Sequence, residues 1–271
     1  MSKIQEALHK WDKEKQVVAP DSEKAPRSGK ETLPSSSPAE KVQVTRKGLI
    51  DPHLIVYLEP EGIIADQFRT LRILLRLNER AQPFQKIVIS SPGQKEGKTT
   101  VCLNLAIALS TEQDTRVLVV DTDFRNPTVH KMLGLKFTPG LYNFLAETVS
   151  FEQTIYETNI PNLSVIPAGK QLANPTDMLD SDKMKDFLAR VKNQYDYVLF
   201  DAPPVIPVSD TTTLAIHSDG IILIVEAEKT RMPTLSSALE LLEKANINII
   251  GLILNKLRGV SSEYRYRYSK E

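Results

Sequence analysis

The chain of 271 residues holds a single cysteine, Cys102. One thiol makes neither an intrachain disulfide nor a four-cysteine zinc or iron–sulfur site, and its scarcity suits a reducing compartment. Long apolar runs are also missing. None approaches the roughly 18 residues of a membrane-spanning helix, and the opening segment MSKIQEALHKWDKEKQ lacks the apolar core of a signal peptide. Charge of one sign is not in excess, with 34 Lys plus Arg against 34 Asp plus Glu. That excludes a generally basic nucleic-acid binder, so no nucleic acid is expected as a partner. The four histidines, His9, His53, His130 and His217, cluster neither with one another nor with Cys102. No internal repeat is present. These absences read as a chain made and kept in the cytoplasm.

Aromatic residues are absent between Trp11 and Tyr57, where Pro20, Pro26, Pro34 and Pro38 alternate with Ser22, Ser28 and the run Ser35, Ser36, Ser37. Such a stretch buries too little apolar surface to offset its ordering entropy, so residues 17–46 read as a disordered linker. Before it, Ile4, Ala7, Leu8 and Trp11 form one stripe of a short amphipathic helix over residues 1–16. That helix packs on its own domain, or docks a partner or a membrane surface, the last weakened by its mixed charge.

What is present is a core. The 41% apolar content supports one large domain, here residues 47–258. Near-continuous apolar runs rich in Val and Ile occur at 86–91, 116–121, 163–168, 197–203, 220–227 and 247–255. They read as strands buried on both faces. Helical patterns at 98–111, 181–193, 209–216 and 233–245 separate most of them, and another covers 64–77 with Phe68, Leu71 and Leu75 inward. Alternation of strand and helix predicts a doubly wound, mostly parallel α/β sheet, with ligands at the carboxyl ends of its strands.

Three strand ends carry chemistry. After the first comes Ser90-Ser91-Pro92-Gly93-Gln94-Lys95-Glu96-Gly97-Lys98-Thr99-Thr100, a phosphate loop whose N–H groups converge on phosphate oxygens at a helix N-terminus. Residues Gly93 to Thr100 are therefore nucleotide-binding candidates. Gly97 allows close approach, Lys98 neutralises the β and γ phosphates and Thr99 is a magnesium ligand. Pro92 stands where such loops usually begin with glycine. The second strand ends in Asp121-Thr122-Asp123-Phe124-Arg125. Its carboxylates serve magnesium or accept a proton from an attacking hydroxyl, or else cap the helix beginning near Pro127. The fourth ends in Asp201-Ala202-Pro203-Pro204, and an aspartate there is the usual partner of magnesium. Asn255, closing the last strand, recognises adenine or lies in a surface turn.

Together, G-K-T-T, apolar-D-T-D-F-R and apolar-D-A-P-P resemble the bacterial tyrosine kinase family, which uses Walker-type motifs and regulates capsular and exopolysaccharide synthesis. The resemblance runs from about residue 52 onward and includes Asp66-Gln67-Phe68-Arg69-Thr70-Leu71-Arg72, similar to the family's E-x-x-R-x-x-R helix with Asp66 in place of glutamate. It implies a P-loop NTPase fold of the deviant Walker (MinD/ParA-like) type, with ATP and Mg2+ as cofactors. Lys98, Asp121 and Asp123 become the catalytic candidates, Thr99, Asp123 and Asp201 the metal ligands, and Arg125 and Asn255 further nucleotide contacts. Asp66, Arg69 and Arg72, otherwise a solvated face, become candidates for the interface of a ring-like homo-oligomer. The resemblance also implies a transmembrane polysaccharide co-polymerase, supplied in trans, that recruits the kinase to the inner face of the plasma membrane, and a cognate tyrosine phosphatase.

Residues 259–271 hold Tyr264-Arg265-Tyr266-Arg267-Tyr268. Read alone, the alternation suits an edge strand or a small stacking surface. Within the family it is the tail that a neighbouring subunit phosphorylates. A positioning or partition ATPase without kinase activity is the competing expectation. Such relatives carry a second lysine where this loop has Gly93. An iron–sulfur relative would need bridging cysteines, for which Cys102 is badly placed.

Overall fold

The six apolar runs are strands, and a very short one joins them: β1 (Lys86–Ser90), β2 (Val117–Asp121), β3 (Tyr156–Glu157), β4 (Leu163–Ile166), β5 (Tyr197–Asp201), β6 (Gly220–Glu226) and β7 (Ile249–Asn255). They form one sheet in the order β3-β4-β2-β5-β1-β6-β7. All pairs are parallel except β3 with β4. The structure is a computed structural model that describes residues 50–78 and 84–257. The predicted N-terminal helix (1–16), the linker (17–46) and the tail (259–271, with Tyr264, Tyr266 and Tyr268) lie outside the described residues.

Nine helices are described: α1 (Ile55–Leu58), α2 (Ile63–Asn78), α3 (Lys98–Ser110), α4 (Val129–Met132), α5 (Leu141–Leu145), α6 (Thr176–Leu179), α7 (Asp182–Gln194), α8 (Asp210–Ile216) and α9 (Met232–Lys244). Alternation along the strands feeds a core on each face of the sheet. Ile87, Ile89, Val117 and Val119 join α1, α2 and α3 on one side. Val88, Leu118, Val120 and Phe200 join α5, α7, α8 and α9 on the other. Helix α3 is buried nearly all round, because the sheet lies under it and α2 covers it. Asn104 ties the segment before α2 to α3: its amide accepts from Val56 N–H (3.0 Å) and donates to the carbonyls of His53 and Thr100 (both 2.8 Å).

Two expectations change. The run at 247–255 is not buried on both faces: β7 is the edge strand, and Leu252 and Leu254 are 44% and 58% exposed. The run at 163–168 stops as a strand at Ile166, because Pro167 has no N–H to offer the ladder. In α2, Leu75 is buried and Phe68 and Leu71 are partly buried, as its periodicity required.

Candidate active site

Sheet order assembles the site. β2 and β5 are neighbours in register, so Asp121 and Asp201 stand side by side at their carboxyl ends, and β1, which leads into the phosphate loop, flanks β5. The turn after β5 is fastened through Pro203, whose carbonyl accepts the hydroxyls of Ser90 (2.5 Å) and Thr211 (2.6 Å). The loop closes around two residues in the left-handed region, Lys95 (φ 62°) and Gly97 (φ 96°). Glycine suits position 97 through its positive φ, and a Cβ there would displace the Asn255 amide from the loop.

Thr99, in the first turn of α3, donates its hydroxyl to Asp201 Oδ2 (2.6 Å) and lies 2.9 Å from the Thr128 hydroxyl. Lys98 Nζ is 3.9 Å from Asp123 Oδ2, both side chains being nearly buried. Asp121 uses both oxygens on backbone. Oδ2 accepts from Thr128 N–H and Val129 N–H (both 3.1 Å), and Oδ1 from Asp123 N–H (3.2 Å). Asp121 thus holds the backbone at the start of α4. Asp123 accepts Asn126 N–H on Oδ1 (3.0 Å) and keeps Oδ2 toward Lys98.

Crowding three carboxylates in a buried space raises their pKa values. Burial pushes Asp201 up to about 7, against the opposing pull of Lys98 and the Thr99 hydroxyl, with Asp123 adding to the rise. Asp121 is raised well above the ordinary range by burial and by the Asp201 charge, despite its N–H partners. Asp123 is raised by burial, moderated by Lys98. Buried Cys102 sits under the same carboxylates, and burial holds its thiol well above the ordinary value.

The donor set fits a magnesium–nucleotide pair. Asp201 Oδ1 is buried without a hydrogen-bond partner among the described residues, and the Thr99 hydroxyl adjoins the same carboxylate. No group of three His, Cys, Asp or Glu side chains among the described residues forms a metal cage. Magnesium does not ask for one, since it is commonly held by one or two protein oxygens plus phosphate.

Other candidates are tied elsewhere. Arg125 is clasped by buried Asp210 (Nε–Oδ2 2.6 Å, Nη2–Oδ1 3.3 Å) and donates to the Ala173 carbonyl (2.5 Å). Asn255 donates to the Glu96 carbonyl (2.9 Å), so β7 abuts the phosphate loop. The interface candidates divide. Asp66 and Arg69 pair with each other at the surface (3.4 Å). Arg72 instead turns onto α3, donating to the Ala108 carbonyl (2.9 Å) and the Thr111 hydroxyl (2.6 Å) and pairing with Glu112 (3.3 Å). Sequence reasoning missed Thr128, Asp210 and Thr230. Only Thr128, directly after Pro127 and before a helix, gave a local signal, as a helix-start residue.

A family described as an AAA domain matches residues 85–252. The tyrosine-protein kinase YwqD of Bacillus subtilis (strain 168) is 32% identical over 220 residues, covering 81% of this chain and 92% of that protein. Among solved structures, the kinase domain of the Escherichia coli tyrosine kinase ETK superposes with TM-score 0.73 at 27% identity, over 79% of this chain and 86% of that one. The septum site-determining protein MinD of Pyrococcus horikoshii, complexed with Mg-ADP, gives a TM-score of 0.55 at 27% identity, over 64% of this chain and 71% of that one. The positioning ATPases thus share the fold, and the kinases share more of it. The chain belongs to the bacterial tyrosine-protein kinase family.

Proposed function

We propose that this tyrosine kinase uses ATP and magnesium to phosphorylate its own cluster, Tyr264, Tyr266 and Tyr268, in trans, residues 47–258 being the catalytic domain and 259–271 the substrate tail. The observation that carries the reading is the convergence of Lys98, Thr99, Asp121, Asp123 and Asp201 at one end of the sheet. Loop residues Gly93 to Thr100 cradle the phosphates, and Lys98 offsets the charge of the β and γ groups. Thr99, Asp201 and Asp123 would hold magnesium, which supplies charge neutralisation across the phosphates when bound. Asp123 is the better placed of the two strand-end carboxylates to accept the tyrosine proton, because Asp121 is engaged by three N–H groups. The tyrosine oxygen bonds to the γ phosphorus, the bond to the β-phosphate oxygen breaks, and ADP leaves. Positioning and charge stabilisation supply most of the acceleration.

Asn255 and Arg125 would complete the nucleotide site, and Asp66 and Arg69 the contact surface of a ring-like homo-oligomer. No helix among the described residues is long and apolar enough to cross a membrane. A transmembrane polysaccharide co-polymerase supplied in trans is the proposed activator, recruiting the kinase to the membrane's inner face. A cognate tyrosine phosphatase would reset the tail, and the cycle would regulate exopolysaccharide or capsule synthesis and export.

The test is a phosphosite map of the purified full-length protein after incubation with ATP and magnesium, beside Lys98→Met. Phosphate on Tyr264, Tyr266 and Tyr268 in the wild type, and none in the variant, is the expected result. Phosphotyrosine persisting in Lys98→Met overturns the reading. ATP hydrolysis stimulated by lipid or DNA with no phosphotyrosine would favour a positioning ATPase.

A further inference from the structure

The phosphate loop is braced by a closed set of contacts from the turn after β6 and the end of β7. Glu96 is buried and makes three bonds. Its Oε2 accepts Gly93 N–H (3.1 Å), its Oε1 accepts the Thr230 hydroxyl (2.6 Å), and its carbonyl accepts Asn255 Nδ2 (2.9 Å). Thr230 accepts Glu226 N–H (2.9 Å) in turn. Glu226 Oε2 receives Lys256 Nζ (3.1 Å) and Lys229 Nζ (2.9 Å). Lys256 Nζ then returns to the loop, donating to the Lys95 carbonyl (2.7 Å). Lys95 is the loop's non-glycine residue at positive φ, a conformation that persists when its surroundings over-determine it. The ring of contacts therefore runs from Lys95 through Lys256, Glu226 and Thr230 back to Glu96. It joins the loop, the turn after β6 and the end of β7.

We propose that Thr230, Glu226 and Lys256 are positioning residues for the nucleotide phosphates: through Glu96 and the Lys95 carbonyl they fix the backbone of residues 93–97 in its anion-binding form. The inference rests on the reading of this loop as an ATP site. It differs from a surface ion pair in one measurable respect. Exposed pairs contribute little to folding, whereas a loop released from its outer support presents its N–H groups less accurately and binds phosphate more weakly.

The experiment titrates full-length wild type and variants with a fluorescent ADP analogue plus magnesium, and follows urea unfolding of the same samples. Thr230→Val and Lys256→Met are expected to raise Kd about five- to tenfold, as loss of one ordering hydrogen bond would, with unfolding midpoints close to wild type. Thr230→Ser and Lys256→Arg restore binding. The double variant weakens binding by less than the product of the two single effects, because both act through one loop. Lys229→Met, which takes a charge from Glu226 but touches no loop atom, leaves Kd within twofold. Kd within twofold of wild type in both Thr230→Val and Lys256→Met overturns the inference, as does an equal loss in Lys229→Met. A wild type that binds no nucleotide sinks the ATP reading itself, and this inference with it, and is distinguished by the first titration.

Discussion

At the scale of single residues, the site is defined by carboxylates held where charge is costly. Asp201 keeps its proton up to about pH 7 in the folded protein and loses it near 3.8 when unfolded. Between those values the folded state binds more protons, so this group's contribution makes stability fall as pH rises from about 4 to 7. Asp201→Asn should therefore be more stable than wild type at pH 7.5 in chelator without nucleotide, by a Tm difference on the order of 4 °C, and the two should converge near pH 4. Differential scanning calorimetry at both pH values checks this, and a gap independent of pH would contradict it. Much of the site was legible in the sequence because aspartates closing apolar strands, and a lysine after glycine in a strand-to-helix loop, have no common structural alternative in combination. Thr230, Glu226 and Lys256 were not legible. They are ordinary polar residues of a turn and a strand end, and their partners on the loop lie as far as 161 positions away in sequence.

At the scale of elements, Arg69 and Arg72 of α2 separate by what they touch. Arg72 bonds α2 to the end of α3, and its loss removes its bonds to the Ala108 carbonyl and the Thr111 hydroxyl and its pairing with Glu112, which keeps Arg76. Arg72→Ala is expected to cost about 1–3 kcal/mol in urea unfolding. Arg69, which pairs with Asp66 and donates to the Pro60 carbonyl at the surface, should change stability by less than about 1 kcal/mol when replaced by alanine. If α2 builds the oligomer, Arg69→Ala shifts sedimentation toward monomer with the fold intact, which makes it the cleaner probe of assembly. An unchanged sedimentation profile would remove Asp66 and Arg69 from the interface. The long helices and the buried strands could be read from periodicity and Val/Ile runs. The one-turn helices α1, α4, α5 and α6 and the two-residue β3 could not, since four or five residues carry no period and their placement is fixed by contacts such as Asn104 with His53 and Val56. The exposure of β7 was hidden for a related reason: its run of Ile and Leu looks the same at the edge of a sheet as at its centre.

At the scale of the whole molecule, the proposed transfer between subunits would separate the enzyme from its substrate, and the two can be put on different chains. A Lys98→Met chain mixed with an active chain lacking residues 259–271 should acquire phosphotyrosine, although neither does so alone. Mass spectrometry of the mixture reads this directly, and an unmodified Lys98→Met chain would show that the tail serves only its own site. The neutral balance of 34 against 34 charges is then the unphosphorylated condition, because each added phosphate brings about −1.5 to −2 charges.

Asn255 lies against the Glu96 carbonyl of the phosphate loop, and Tyr264 follows nine residues later. Nine residues span at most about 32 Å when fully extended. That length of chain limits how far Tyr264 can reach from Asn255, so the proposed transfer in trans would need a subunit in contact. Reaction order then becomes a measure of assembly. On the proposed ring-like assembly, the initial rate of autophosphorylation per subunit should climb with protein concentration while subunits are associating, and become independent of concentration once assembly is complete.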